Sequence, residues 1–122
     1  MRLLLAAAFA LTFAVSADAR TLQCTFETQC MAGDACEEAG YELTATFGED
    51  SDLVELADVN ETLPATGFAG GDGTVVGAFH AKENGDAYLL TVARDGKATY
   101  SVHYPGSEIA LVYSGTCGAG AD

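Results

Sequence analysis

Four cysteines, two histidines and a long series of acids are the residues in this chain whose types could do chemistry. Cys24, Cys30, Cys36 and Cys117 are even in number, and neighbouring thiols become either disulfides or thiolate ligands to zinc. The first three are spaced by five residues and lack the CxxC steps of zinc sites, so a disulfide framework is expected and a metal is not. Four cysteines allow three pairings. End-to-end geometry favours Cys24, in the first strand-like run, with Cys117, at the end of the last one. That leaves Cys30 with Cys36 across the flexible segment Met31-Ala32-Gly33-Asp34-Ala35.

The acids are unevenly placed. Residues 21–81 hold twelve Asp and Glu with no Lys or Arg, whereas residues 82–122 hold five acids against Lys82, Arg94 and Lys97. With 18 acids against 5 basic residues and a formal charge of -13, one half of the molecule carries a negative field. Such a field steers cationic partners and repels nucleic acid and anionic membranes. Asp50, Asp52, Glu55, Asp58, Glu61 and Asp72 form the possible interaction region. Asp50, Asp52, Glu55, Asp58 and Asn60 are hard oxygen donors suited to Ca²⁺, yet neither Asp50 nor Asp58 starts the 1-3-5-6-12 pattern of a calcium loop. A solvated acidic turn is therefore the expectation, with no metal and no cofactor.

Catalytic signatures are missing from the sequence. It has no Gly-x-Ser-x-Gly elbow, no His-Glu-x-x-His helix and no glycine-rich phosphate loop, so no enzymatic activity is expected. His80 and His103 are expected on the outer face of strands separated by one other, about 10 Å apart, too far for one metal without further ligands. Tyr88, Tyr100, Tyr104 and Tyr113 fall on the inward pattern, where they could line a ligand cavity or fill a core. Core is the simpler account in so small an interior.

The elements that must position these groups read as strands. Residues 21–28 alternate Leu22, Cys24 and Phe26 with polar partners, and residues 41–47 alternate Tyr41, Leu43, Ala45 and Phe47 in the same way. Gln29 to Gly40 reads as a loop, Leu53 to Ala57 as a short strand, and Asp58 to Gly73, with Pro64 and four glycines, as irregular. Asn84-Gly85 and Asp95-Gly96 are hairpin signals. A two-residue turn at the first sets Phe79 opposite Leu90. A three-residue turn at the second sets Leu90 opposite Tyr100 and Tyr88 opposite Val102. Pro105-Gly106 turns the chain into a last strand containing Ile109, Leu111 and Tyr113. The sum is an all-β antiparallel meander of about seven short strands, closing as a small barrel or sandwich. It spans residues 20–117, followed by a flexible tail, 118–122.

Ahead of this domain, Met1-Arg2, the apolar run Leu3 to Val15 interrupted only by Thr12, and Ala17-Asp18-Ala19 have the three regions of a secretory signal peptide, residues 1–19, cleaved before Arg20. No later stretch approaches the roughly 18 apolar residues of a membrane helix, so no membrane insertion is expected after cleavage. A periplasmic or secreted location follows, where thiols oxidise.

Leu22-Gln23-Cys24-Thr25-Phe26, the following Cys30 and Cys36, and a β-rich body ending in Ser114-Gly115-Thr116-Cys117 resemble small uncharacterised secreted proteins of alphaproteobacteria. The arrangement is also similar to the periplasmic inhibitors of c-type lysozyme, small β-barrels whose first and last strands are joined by a disulfide. Those inhibitors place a Ser-Gly-x-x-Tyr loop in the lysozyme cleft. Here Ser114-Gly115 is followed by Thr116-Cys117 with no tyrosine in place, so no inhibitory residue carries over. The expectation is an exported, acidic, disulfide-stabilised binding module, possible partners being cationic proteins. The alternatives are an inhibitor of a cationic hydrolase such as lysozyme and a carrier of a small ligand or metal.

Overall fold

Period-two alternation decides the architecture, because each strand has one apolar face to bury and eight such faces can bury one another by curling round a common axis. In the computed structural model, which describes residues 19–31, 34–48, 52–69, 75–106 and 110–119, the strands are β1 (Ala19–Met31), β2 (Glu37–Gly48), β3 (Leu53–Ala57), β4 (Thr62–Ala69), β5 (Val75–Ala81), β6 (Ala87–Ala93), β7 (Lys97–His103) and β8 (Ala110–Ala119). Each pairs antiparallel with the next, and β8 pairs with β1, so the sheet is a closed barrel rather than a sandwich. Closure leaves no free edge of backbone N–H and C=O groups to recruit another chain.

Eight strands enclose an interior just wide enough for side chains to fill. Phe26, Leu43, Leu56 and Leu90 occupy it together with Ala45, Ala65, Ala78 and Ala98, and among the described residues the only buried side chains that carry a polar oxygen are the phenols Tyr88 and Tyr100. Glu27, Glu42 and Glu55 stand exposed on β1, β2 and β3, the reverse of the polar interior and apolar girdle of a membrane barrel. Among the described residues no helix is long and apolar enough to cross a membrane.

The seam that closes the barrel is the one a disulfide staples. Cys24 and Cys117 are register partners across β1 and β8 and are bonded to each other inside the wall. The second disulfide, Cys30–Cys36, closes the β1–β2 hairpin. At the same seam β1 bulges between Phe26 and Thr28. A Cβ on Gly115, which faces Phe26, would run into the Thr25 carbonyl, so only glycine lets the two backbones approach there.

Five sequence expectations change. The stretch Asp58 to Gly73 contains β4, which makes eight strands: Leu63 and Ala65 alternate inward between exposed Thr62, Pro64 and Thr66. Pro64 is tolerated because the β4–β5 ladder starts beyond it, at Thr66–Phe79, and its carbonyl accepts a hydrogen bond from His80 Nδ1. The segment Gln29 to Gly40 is mostly strand, since β1 continues to Met31 and β2 begins at Glu37, with Gln29 paired to Glu37.

The β5–β6 hairpin is one residue out of the expected register. Gly85 N–H bonds to the Lys82 carbonyl and Lys82 N–H to the Asp86 carbonyl, and Gly85 has φ 95°. This makes a three-residue loop with a left-handed glycine, not a two-residue turn. Phe79 therefore pairs with Leu89 and points out, while Ala78 pairs with Leu90 inside. One residue of slip moves His80 from the outer face to the inner one. The β6–β7 hairpin keeps the expected pairing of Leu90 with Tyr100 and Tyr88 with Val102. Finally, Tyr104 is 40% exposed rather than inward. Gly118 and Ala119, read as the start of a tail, belong to β8; residues 1–18 and 120–122 lie outside the described residues.

Candidate functional site

One end of the barrel, where β1 turns into β2, β3 into β4 and β5 into β6, gathers most of the polar chemistry of the molecule. Inward positions of four strands meet there: Tyr41 on β2, Tyr88 on β6, Tyr100 on β7 and Tyr113 on β8. Tyr100 and Tyr113 are direct register partners. Tyr41 and Tyr113 stack with ring centroids 4.7 Å apart, and Tyr100 lies 6.0 Å from Tyr41, 6.2 Å from Tyr88 and 6.3 Å from Tyr113. Phe26 underlies the group, 6.1 Å from Tyr41 and 6.0 Å from Tyr100. Offset rings at such separations attract one another beyond simple area burial. Each tyrosine puts an apolar ring in the core and a hydroxyl near the rim.

The rim is built by the β3–β4 turn. Asp58 Oδ1 accepts the N–H groups of Asn60 at 2.7 Å and Glu61 at 2.9 Å, an Asx turn that shapes the connection. Its other oxygen, Oδ2, accepts the Tyr41 hydroxyl at 2.7 Å. From the end of β5, Lys82 Nζ reaches Glu61 Oε1 at 3.3 Å and lies 5.2 Å from the centroid of the Tyr88 ring. The His80 ring is 5.9 Å from that of Tyr88. A hydrophobic barrel thus ends in a mouth of phenol rings with Asp58, Glu61 and Lys82 across it.

The electrostatics follow from burial and neighbours. Burial works to raise the pKa of Asp58, but the hydrogen bonds from Tyr41, Asn60 and Glu61 and the charge of Lys82 outweigh it and hold the carboxyl below its ordinary value. Burial, reinforced for Tyr41 by its bond to Asp58, pushes the Tyr41 and Tyr100 phenols well above their ordinary range. The Tyr88 hydroxyl, followed by Glu61, holds Lys82 more firmly protonated against the opposing effect of desolvation. Phenols shifted upward do not exchange protons near neutral pH. The mouth therefore offers ring faces, hydroxyl groups and carboxylates, the recognition chemistry of an organic cation.

Beside the mouth, β1 to β3 and the β1–β2 turn carry exposed Glu27, Asp34, Glu37, Glu38, Glu42 and Glu55. The ion pairs among the described residues are Lys82–Glu61 and Lys97–Asp95; neither involves this wall. The outer faces of β4 to β6 show no ionisable group, presenting Phe68 and Phe79, each 46% exposed, instead. A shallow depression of about 200 Å³ at the β1–β2 hairpin is lined by Gln29, Met31, Asp34, Ala35 and Glu37.

The acidic region expected from the sequence is divided. Asp58 and Glu61 come together at the mouth, Glu55 stands on the outer face of β3, and Asp52 lies at the opposite end, where its carbonyl accepts the Gly67 N–H. Asp50 and Asp72 lie outside the described residues. Among those described, no three His, Cys, Asp or Glu side chains converge as metal ligands. Sequence reasoning missed Tyr41 and Lys82 as members of the site. The signal for Tyr41 was its place on the inward pattern of β2, and for Lys82 its place as the first Lys or Arg after the sixty-one residues 21–81. Comparison with protein-family models, curated proteins and solved structures finds no match.

Proposed function

We propose that this chain is an exported, non-enzymatic interaction module that binds a cationic protein through the mouth end of the barrel and the acidic wall beside it. The observation that carries the reading is the exposed acids of β1 to β3, which have no cation partner among the described residues, held on a doubly disulfide-bonded closed sheet that also presents Asp58 and Glu61. A rigid surface of this kind loses little conformational freedom on binding and attracts positive partners from a distance. Export is supported by the signal-like segment and by both disulfides, which persist in oxidising compartments. The filled interior does not favour a carrier of apolar ligands.

Inhibition of a cationic hydrolase such as a c-type lysozyme is a narrower form of the same reading. One feature favours it: the first and last strands of the barrel are joined by a disulfide, as in the inhibitors the sequence resembles. Calorimetric titration of the protein with a c-type lysozyme at low and at physiological salt, together with a lysis assay, tests both. Binding that weakens steeply with salt is expected, with loss of lytic activity if the narrower form holds. No binding of lysozyme or of a second strongly basic protein at low salt overturns the cationic-partner reading.

A further inference from the structure

We infer that the mouth is a receptor for one lysine ammonium of a protein partner, and that Lys82 occupies this position in the free protein. The inference rests on the interaction reading above and names its recognition element. The Lys82 ammonium already shows what the site holds: a Tyr88 ring face at 5.2 Å and the two Glu61 oxygens at 3.3 and 3.5 Å. Its tether is weak, because an ion pair whose side chains are 32% and 41% exposed contributes little. Lys82 opens the β5–β6 turn, so its side chain can swing into water without breaking a ladder.

A second observation points independently to a missing donor. Tyr100 is only 2% exposed, and its hydroxyl makes no hydrogen bond to a described residue. Yet among the described residues no fully buried side-chain oxygen or nitrogen lacks a partner. The Tyr100 hydroxyl therefore keeps some access to solvent, and it lies within electrostatic reach of Asp58 and Glu61. A cation that brings its own N–H donors finds there an acceptor that Lys82 leaves unused.

The same geometry points to an ammonium, the group that Lys82 already seats there. Both oxygens of Asp58 are committed, one to backbone N–H groups and one to Tyr41, so the carboxylate left for an incoming cation is that of Glu61, which Lys82 holds as an ammonium. Glu61, a phenol hydroxyl and a ring face suit a compact ammonium with three rotatable donors. Exchange of one ammonium for another leaves the charge of the mouth unchanged, so net affinity comes from the Tyr100 hydroxyl and from the partner's other contacts along the acidic wall.

The test uses n-butylammonium as a lysine side-chain probe and tyrosine fluorescence as readout, which no tryptophan obscures. Lys82→Ala should bind the probe roughly fivefold or more tightly than the parent, because the resident competitor is gone. Lys97→Ala makes the same change in net charge at the opposite end, where the Lys97 side chain is 83% exposed; it should alter affinity less than about twofold. Adding Glu61→Gln to Lys82→Ala should abolish most of the gain. Equal effects of Lys82→Ala and Lys97→Ala would overturn the site, as would n-butylguanidinium binding as well as butylammonium. A tri-lysine peptide that binds no better than butylammonium would assign the mouth to free amines and overturn the partner assignment. Lysozyme binding unchanged by Lys82→Ala removes this inference and leaves the interaction reading standing. Butylammonium binding without binding of lysozyme or of a second strongly basic protein overturns the interaction reading and leaves the mouth as a site for free amines.

Discussion

Replacing Cys24 and Cys117 together by alanine leaves the β1–β8 seam held only by its hydrogen bonds and packing, and the size of the loss can be worked from chain entropy. The bond spans 93 residues of sequence and the Cys30–Cys36 bond spans 6. A cross-link restricts the unfolded chain more as its loop lengthens, which gives roughly 4.7 kcal/mol for the first and roughly 2.4 kcal/mol for the second at room temperature. Cys24 is fully buried, so losing its sulfur also leaves a small void, adding on the order of 1 kcal/mol. Domains of this size have only about 5–15 kcal/mol in all. The Cys24→Ala/Cys117→Ala protein should therefore stand close to unfolding, while Cys30→Ala/Cys36→Ala keeps a cooperative transition about 2 kcal/mol lower. Urea unfolding followed by far-ultraviolet circular dichroism and tyrosine fluorescence measures both. Equal losses, or a larger loss for the hairpin disulfide, would refute the assignment of barrel closure to the longer bond.

Gly115→Ala should cost about 2 kcal/mol or more, because the new methyl meets the Thr25 carbonyl, a backbone atom that cannot move aside; thermal unfolding reads it. Tyr41→Phe removes the donor to Asp58 at a partly exposed site and should cost about 1 kcal/mol near neutral pH. The Asp58 carboxyl is held below its ordinary value, so its contribution is present above about pH 4 and is lost as pH falls through the depressed folded value. Melting temperature against pH should accordingly show a shallower acid limb in Tyr41→Phe than in the parent. The Tyr41 and Tyr100 phenols are displaced upward, so their neutral forms favour the fold below about pH 10 and stability declines as pH rises further. Near-ultraviolet tyrosinate absorbance should appear at higher pH in the native than in the guanidinium-unfolded protein; coincident curves would contradict the burial.

Reading the sequence recovered the elements whose local signals agree with their tertiary setting. The alternation in residues 21–28 and 41–47 and the Asp95-Gly96 hairpin carry both period and turn type, and the β6–β7 register was legible to the residue. The cysteine pairing was legible because the two chain ends of a closed meander must be neighbours. β4 was hidden by Pro64 and by the glycines of the stretch Asp58 to Gly73, whose usual meaning is a loop; what makes Pro64 acceptable is where the neighbouring ladder ends, which is not a local property. The Asn84-Gly85 signal is shared by two- and three-residue loops, and that single ambiguity inverted Phe79 and His80. The mouth was only half legible for a similar reason. Inward positions for Tyr88, Tyr100 and Tyr113 follow from alternation, but the meeting of Tyr41, Asp58 and Lys82 depends on barrel closure bringing three turns to one end.

Reception of a cationic partner at the mouth can be followed through the ring resonances of the five tyrosines in isotopically labelled protein titrated with a c-type lysozyme. Tyr41, Tyr88, Tyr100 and Tyr113 should shift together and saturably, and salt should reverse the effect. Ring resonances that stay still while backbone amides near Glu27, Glu42 and Glu55 move, or a spectrum in which nothing moves, would contradict it.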